Sequence, residues 1–222
     1  AIANPVSTRC RMVTVHPTLD EMTADAVHPY LPATASVYCV AVKRSLDVAG
    51  AAILALPVLI LVLLAALLIW ATDGRPVFFS QERVGKNGRI FKMRKLRTMA
   101  LSTGKVMHAT LSNDARITAT GRFLRQSHLD ELPQLWNIFI GDMSFIGPRP
   151  EQPHLVEYYK QHIAGFDLRH AVRPGLSGLA QVAFGYATDL EETREKFRYD
   201  LYYVQNLSAG LDLKIFGRTV QV

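Results

Sequence analysis

An uncharged run from Val48 to Thr72, rich in Leu, Ile, Val and Ala, constrains this chain more than any other feature. A helix of about 20 apolar residues can cross the ~30 Å hydrocarbon core of a membrane, so length alone favours a plain spanning anchor. Pro57 lies inside the run, where it removes a backbone hydrogen bond and predicts a kink. Basic residues flank the run on both sides, with Lys43 and Arg44 before it and several cations after it.

The flanking charges leave two membrane topologies open. Positive charge normally marks the cytoplasmic side of a membrane segment. Charge on both sides therefore fits a re-entrant helix that enters one leaflet, bends near Pro57 and returns. The stretch from Asp47 to Pro57 would make ~15 Å of helix, enough to reach roughly mid-bilayer. More positive charge follows the run than precedes it, and this asymmetry fits a spanning helix. The residues alone therefore favour neither topology.

The positive charge of the chain is concentrated in one block. The net charge is +6, yet residues 75–125 alone hold 12 Lys/Arg against 2 Asp/Glu. Such a block suits anionic lipid headgroups, nucleic acid or a phosphorylated substrate. A nucleic-acid-binding module would need a recognition helix or stacking aromatics among these cations, and Phe91 and Phe123 alone are poor support for one. We therefore expect no nucleic-acid partner.

The rest of the chain divides into an irregular arm and one domain. Residues 1–36 are broken by prolines and have no sustained period. Residues 37–222 are predicted to form a single domain that includes the membrane helix at about 43–72. Strands are predicted over 76–80 and 89–93 with a turn at 85–88 between them, which makes a β-hairpin. Later helices are predicted over 132–139, 152–161 and 189–204.

An acidic pair, Asp130 and Glu131, precedes one of these predicted helices. Pro133 is tolerated only in the first turn of a helix, so the helix is predicted to begin near Leu129 or Asp130. Its dipole would stabilise an ionised carboxylate there, and the same end of a helix also binds phosphate. With Arg125 just upstream, the pair could hold a metal–diphosphate complex and attack it. On the residues alone, the pattern favours an ordinary acidic first turn over catalysis.

Other candidate residues also have two interpretations each. Arg149 lies between two prolines and is either pre-organised for bidentate phosphate contact or part of a rigid connector. Asp142 could ligate a metal, although a turn residue is the more typical role. If residues 91–99 are extended, Lys95 and Arg97 share a face, directed at lipid headgroups or at a nucleotide diphosphate.

Two segments near the C-terminus are equally open. The turn-rich stretch 173–181 could cradle a ligand or simply form a tight loop. The aromatic residues between Phe197 and Tyr203 could form an interfacial belt or part of the core.

Taken in order, these segments resemble the monotopic phosphoglycosyl transferases, often called the bacterial sugar transferase family. The resemblance runs from about residue 38 to 222. It rests on several motifs in the family's order: Lys43-Arg44-x-x-Asp47 before the apolar run, 91–99, 129–134, 141–144, 147–150 and 173–178. Longer relatives carry further membrane helices and an extra domain, so this chain is expected to be a minimal member or the catalytic part of a larger one.

The resemblance implies a fold class and a location. The expected fold is α+β and mainly helical, with a re-entrant membrane helix bent at Pro57, amphipathic interfacial helices and a small β-hairpin. Such a protein lies monotopically on the cytoplasmic face of the bacterial inner membrane, in contact with anionic lipids. Two copies can associate in relatives with this core.

The resemblance also implies a reaction. Asp130 matches the family's nucleophile, which attacks a UDP-sugar, releases UMP and forms a covalent phosphosugar that polyprenyl (undecaprenyl) phosphate then accepts. Glu131 is associated with an essential Mg²⁺, and Asp142 matches another acidic position at the metal. The positions that match phosphate-binding cations are Lys95, Arg125 and Arg149. The resemblance does not predict which sugar is transferred.

Overall fold

The computed structural model describes residues 41–101, 114–184 and 189–221, so the predicted arm at 1–36 lies outside the described residues. The described part is mainly helical with two small sheets. Its α-helices are α1 Lys43–Asp73, α2 Ala119–Gln126, α3 Gln134–Ile140, α4 Pro153–His162, α5 Leu179–Ala183, α6 Leu190–Gln205 and α7 Ala209–Gln221. Its strands are β1 Phe78–Val84, β2 Ile90–Leu96, β3 Ser144–Ile146 and β4 Gly175–Ser177. The predicted mainly helical α+β fold is confirmed at this level.

The apolar run forms α1, which continues as one helix of 31 residues through Pro57. Among the described residues it is the one helix long and apolar enough to cross a membrane. Large apolar side chains on both sides of the proline are exposed, including Ile53, Leu56 and Leu63. A bend at Pro57 stays a prediction.

Both halves of α1 pack against the same folded body. Ala51, in the first half, lies in a core cluster with Met93 of β2. Ile69, in the second half, is buried in a cluster with Leu96 of β2 and Leu124 of α2. The strand β2 therefore contacts both halves of the apolar helix.

Charged groups of the body hold both ends of α1. At its start, Lys43 Nζ lies 2.5 Å from Asp212 Oδ2, and Arg44 donates to the carbonyls of residues 138 and 139 at the end of α3. At its end, the buried Arg97 donates to the carbonyls of Asp73 (2.6 Å) and Gly74 (2.8 Å). Cations at helix C-terminal carbonyls are favourable because they meet the negative end of the helix dipole.

The predicted β-hairpin is confirmed, with longer strands than expected. β1 and β2 pair antiparallel from Phe78 opposite Leu96 to Val84 opposite Ile90. A 3₁₀ turn connects them, and its Asn87 has a φ of 56°, a left-handed conformation that asparagine tolerates. Side chains alternate along β2, so Lys95 lies on the same face as the buried Phe91 and Met93.

A second sheet, which the sequence patterns did not predict, joins β3 and β4 in parallel. Their flanking loops approach so closely that a Cβ at Gly147 would overlap the Arg173 carbonyl, and a Cβ at Gly175 or Gly178 would overlap the backbone of Gly147. The turn-rich stretch 173–181 thus supplies β4 and a backbone contact, as in the tight-loop interpretation.

The aromatic residues of α6 belong to the core. Phe197 and Tyr203 are buried, and Tyr199 and Tyr202 pack against the cluster around Tyr203. The core interpretation is therefore correct for this segment.

Helix α3 buries two polar side chains beside Ile138 and exposes aromatic ones. Its Gln134 and Asn137 are buried, each only 1% exposed, whereas Trp136 is 50% and Phe139 is 45% exposed. Among the apolar residues of this segment, Ile138 is buried and Leu135 packs against a core cluster, whereas Trp136 and Phe139 point away from the protein. Exposed aromatic side chains are unfavourable in water, because burial of apolar surface is what stabilises an amphipathic helix there.

Candidate active site

Several of the candidate residues converge where β2, α2 and the loop before α4 meet. Asp130 and Glu131 lie in the 3₁₀ turn Leu129–Glu131, between α2 and α3. Lys95 comes from β2 and Arg149 from the loop between β3 and α4. Arg125 lies in the last turn of α2.

The helix start predicted near Leu129 or Asp130 is present only as the short 3₁₀ helix Leu129–Glu131, which is separate from α3. α3 starts at Gln134, with Pro133 as its N-cap residue, so the acidic pair belongs to a separate turn. His128 reverses the chain just before this turn, with a φ of 54°. Pro133 has no N–H to donate, and its ring disfavours a helix running through it, so the turn and α3 stay distinct. The helix dipole of α3 is therefore not the source of Asp130's properties.

Glu131 accepts two charged hydrogen bonds at the same oxygen. Lys95 Nζ lies 2.5 Å and Arg149 Nη2 lies 2.7 Å from Glu131 Oε1. Burial alone would raise the pKa of Glu131, but Arg149 and Lys95 overcome it and hold the pKa far below its usual range. Glu131 is thus an ionised carboxylate that gathers two cations at one point.

Asp130 has a different environment from its neighbour. It is 7% exposed, and burial raises the pKa of its carboxyl group. The negative charge of Glu131 also raises this pKa, whereas the positive charges of Lys95 and Arg125 oppose the rise. Two adjacent carboxyl groups with pKa values shifted in opposite directions are typical of a functional site, since each can then take a different role.

A side-chain hydrogen bond holds Arg125, and a close backbone contact holds its helix α2. Arg125 Nε donates to Thr98 Oγ1 at 2.8 Å, which ties α2 to the end of the hairpin. Thr118 caps α2 by accepting from the backbone N–H of Gly121. A Cβ at Gly121 would overlap the carbonyl of Thr98, so only glycine lets α2 approach this closely.

The buried Asn137, which the sequence interpretation missed, joins α3 to β2. Its Nδ2 donates to the Lys92 carbonyl (2.9 Å), and its Oδ1 accepts from the Arg94 N–H (3.1 Å). The side-chain amide thereby pairs with β2 as a neighbouring strand would. The sequence signal for this role is a polar residue on the helix face opposite the aromatic residues, where it would be directed at the protein.

Asp142 lies apart from this group. It follows α3, whereas Glu131 precedes it, and its Oδ2 accepts a 3.3 Å hydrogen bond from Asn137 Nδ2. The structure thus brings together Lys95, Glu131 and Arg149, with Asp130 and Arg125 beside them. A role for Asp142 in metal binding stays a prediction.

The fold and the site together define a membrane-associated protein whose clustered cations and ionised carboxylate suit a phosphorylated ligand. The family model of the bacterial sugar transferases matches residues 38–222, so the chain belongs to that family.

Curated relatives share this part of the chain. A UDP-N-acetylgalactosamine-undecaprenyl-phosphate N-acetylgalactosaminephosphotransferase of Aeromonas hydrophila is 42% identical over 182 residues, which are 81% of this chain and 43% of the relative. A UDP-glucose:undecaprenyl-phosphate glucose-1-phosphate transferase of Klebsiella pneumoniae is 40% identical over 80% of this chain and 39% of the relative. One of the same name from Caulobacter vibrioides is 42% identical over 80% of this chain and 68% of the relative. The chain thus spans less than half the length of the first two.

Proposed function

We propose that this chain transfers a sugar 1-phosphate from a UDP-sugar to polyprenyl (undecaprenyl) phosphate, giving UMP and a polyprenyl-diphosphate-sugar. This would be the first membrane step in assembling a polysaccharide or glycoconjugate. The names of relatives that share most of this chain support the reaction class. The observation that carries the proposal is the buried Asp130 beside a Glu131 that holds two cations.

Asp130 is the proposed nucleophile. One of its carboxylate oxygens attacks the sugar-bearing phosphorus, and the bond between this phosphorus and the bridging oxygen breaks. UMP leaves with that electron pair, and an aspartyl-phosphosugar remains. An oxygen of polyprenyl phosphate then attacks the same phosphorus, and the acyl-phosphate bond breaks to restore Asp130. Covalent capture suits a site whose two substrates arrive separately, one from water and one from lipid.

The cations supply most of the electrostatic stabilisation in this proposal. Lys95 and Arg149 converge within hydrogen-bond distance of one oxygen, a spacing that also suits the oxygens of a diphosphate. Charge that accumulates on a transferring phosphoryl group is stabilised best by donors already in place. Arg125, held by Thr98, adds a third cation near Asp130, and its positive charge opposes the rise in the pKa of that carboxyl group.

Mg²⁺ fits this site as an ion shared with the substrate. The described residues contain no cluster of three or more His, Cys, Asp or Glu side chains, so a cage made by protein alone is not expected there. Mg²⁺ is commonly held by one or two carboxylates together with waters and substrate phosphates. Glu131 is ionised, and both of its hydrogen bonds fall on Oε1, so Glu131 with Asp130 would hold the ion. The ion would offset charge on the diphosphate; Asp142 is proposed as a further ligand by resemblance only.

A re-entrant α1 is the proposed membrane topology. A spanning helix would put its two ends on opposite faces of the bilayer, ~45 Å apart for 31 residues. Both ends instead contact charged groups of one folded body, Lys43 with Asp212 and Asp73 with Arg97. Such charges are costly within hydrocarbon, so these contacts favour a body on one side of the membrane, proposed as the cytoplasmic face of the inner membrane.

Exposed apolar residues outside α1 support interfacial helices. Trp136 and Phe139 of α3, and Leu213 and Phe216 of α7, are at least 45% exposed. Arg94 lies over the Trp136 ring, 5.9 Å from its centroid, so a cation accompanies the aromatic surface. Aromatic and basic residues together are typical of helices that lie at a membrane interface, and anionic lipids are the proposed contact. Association of two copies is a further proposal that rests on the resemblance alone.

UMP release tests the proposed reaction. The full chain in nanodiscs, with Mg²⁺ and polyprenyl phosphate, is expected to release UMP from at least one UDP-sugar in a panel, which would also identify the sugar. Asp130→Asn should abolish release while the protein still unfolds cooperatively. Asp167→Asn is the matched control, because Asp167 is an exposed carboxylate outside the site. Full activity in a folded Asp130→Asn protein would overturn the mechanism.

A further inference from the structure

The loop that carries Arg149 has an unusual shortage of backbone donors. Pro148 and Pro150 have no N–H, so between them only Arg149 offers a backbone donor. The loop must therefore be held mainly through its carbonyl oxygens, and each of these has a donor. The Pro148 carbonyl accepts from the Gly175 N–H, and the Pro150 carbonyl accepts from Arg83, both at 2.9 Å.

The Arg149 carbonyl accepts a hydrogen bond from a buried arginine. Arg169 Nη2 donates to it at 2.9 Å, and the same nitrogen donates to Asp200 Oδ2 at 2.6 Å. Arg169 Nε also donates to Asp200 Oδ2, at 3.0 Å. Both side chains are only 3% exposed. Asp200 on α6 therefore fixes the plane of the guanidinium group and directs the second N–H of Nη2 at the Arg149 carbonyl.

We propose that Arg169, oriented by Asp200, is a positioning residue for the transferase reaction, and that it acts by holding Arg149 in reach of Glu131. This inference rests on the proposed function only for its kinetic consequence. The 2.7 Å contact between Arg149 and Glu131 depends on where the loop backbone lies, and Arg169 holds that backbone at the residue itself. A shift of about 1 Å in a group that binds the reacting phosphate can cost about 100-fold in rate.

Arg169→Lys is the informative variant because it keeps a positive charge beside Asp200 and removes the planar fork. Lysine cannot bind one carboxylate through two nitrogens and also donate to the Arg149 carbonyl in this geometry. We expect kcat/KM for UMP release to fall about 10- to 100-fold. Arg198→Lys on α6 is the matched control, since Arg198 is 40% exposed and pairs with Glu195 on the same helix. Its activity should equal that of the unaltered protein.

A double-mutant cycle separates positioning from a merely structural role. If Arg169 acts through Arg149, adding Arg169→Lys to Arg149→Ala should lower kcat/KM by less than about twofold beyond Arg149→Ala alone. Losses that multiply would overturn the proposal, as would a folded Arg169→Lys protein with unchanged kcat/KM. If Arg169→Lys does not fold, the same cycle is run with Asp200→Asn, which keeps the volume and a neutral acceptor for Arg169.

Hydrogen exchange tests the contact whether or not the chain is active. Backbone amides within residues 147–152 should exchange faster in Arg169→Lys than in the unaltered protein, while Arg198→Lys should leave them unchanged. Unchanged exchange in Arg169→Lys would overturn the proposal. If the variants show the expected exchange but the unaltered protein releases no UMP, the result would count against the proposed function. The positioning contact would still be established.

Discussion

Lys95→Met removes the cation shared by the two acids while keeping a side chain of similar length. Lys95 Nζ lies 2.5 Å from Glu131 Oε1, and among the positive charges near Asp130 it has the largest influence. An opposite charge within about 4–6 Å lowers the pKa of a carboxyl group by about 1–3 units. Removing the Lys95 charge should therefore raise the pKa of Asp130 further, and Arg125, which remains in the variant, limits the rise.

The rate and the stability of this variant should respond differently. Loss of a pre-positioned donor to a developing negative charge typically costs about 10²–10³ in rate, or about 2.7–4 kcal/mol. The stability loss should be smaller. Burial lowers the pKa of Lys95, which means that its charge is costly in the folded protein, and removing it relieves that cost. The lost charged hydrogen bond is worth about 1.5–3 kcal/mol, and the relieved burial cost offsets part of it. We therefore expect the free energy of unfolding to fall by about 1 kcal/mol.

The assay is the rate of UMP release against pH in nanodiscs, with thermal unfolding measured on the same samples. The acid limb of the Lys95→Met profile should move to higher pH, because ionised Asp130 is the reactive form. Lys92→Met is the matched control, since Lys92 is exposed on the opposite face of β2. A Lys95→Met protein with an unchanged profile, or one that Lys92→Met reproduces, would refute this reasoning.

Two further predictions concern packing and pH. Gly121→Ala should lose about 1–3 kcal/mol of stability, because its Cβ would overlap the Thr98 carbonyl. Gly210→Ala in α7 should instead gain about 0.5–1 kcal/mol, since no atom lies within 4 Å of the new Cβ; thermal unfolding measures both, and equal effects would contradict the packing argument. The folded pKa of Glu131 is depressed, so its ionised form contributes stability above an unfolded pKa of about 4.3 and loses it as the pH falls toward the folded value. The difference in unfolding free energy between the unaltered protein and Glu131→Gln should therefore be constant near neutral pH and shrink by up to about 1.4 kcal/mol per unit below pH 4; a constant difference down to the acid limit would contradict the assigned charge.

Sequence patterns predicted the elements whose periodicity is strong. The uncharged run forms α1, the turn at 85–88 joins two strands, and the three predicted helices occur as α3, α4 and α6 within a few residues. Each of these signals is local, since the residues that define the element also stabilise it. The pair β3 and β4 was missed because each strand has three residues, too few for an alternation to be recognised.

The start of α3 shows where a local rule failed. The tolerance of proline in a first helical turn placed Asp130 at a helix start, but the chain closes a 3₁₀ turn before Pro133 instead. The reversal at His128 brings Asp130 into a buried position, which depends on the packing of α2 against β2 and on no pattern near residue 130. The raised pKa of Asp130 comes from that burial, so a dipole argument could not have predicted it.

The partners of the cations were beyond the sequence. Lys95 and Arg97 both lie in the basic block, yet Lys95 contacts Glu131 while Arg97 binds carbonyls at the end of α1. No local pattern indicates a role for Arg169, because its partners lie 20 and 31 residues away along the chain. Cations close together in the sequence take different roles according to which distant groups they contact, and only the folded structure contains that information.

The most direct test of the central claim is the intact mass of the protein after incubation with its UDP-sugar and Mg²⁺ and without polyprenyl phosphate. Asp130 as nucleophile predicts an added mass of one sugar phosphate, located by peptide mapping on Asp130, formed together with UMP and removed when polyprenyl phosphate is added. The Asp130→Asn protein should gain no mass. UMP release that requires polyprenyl phosphate from the first turnover, with no adduct on a fully active protein, would contradict a covalent mechanism at Asp130.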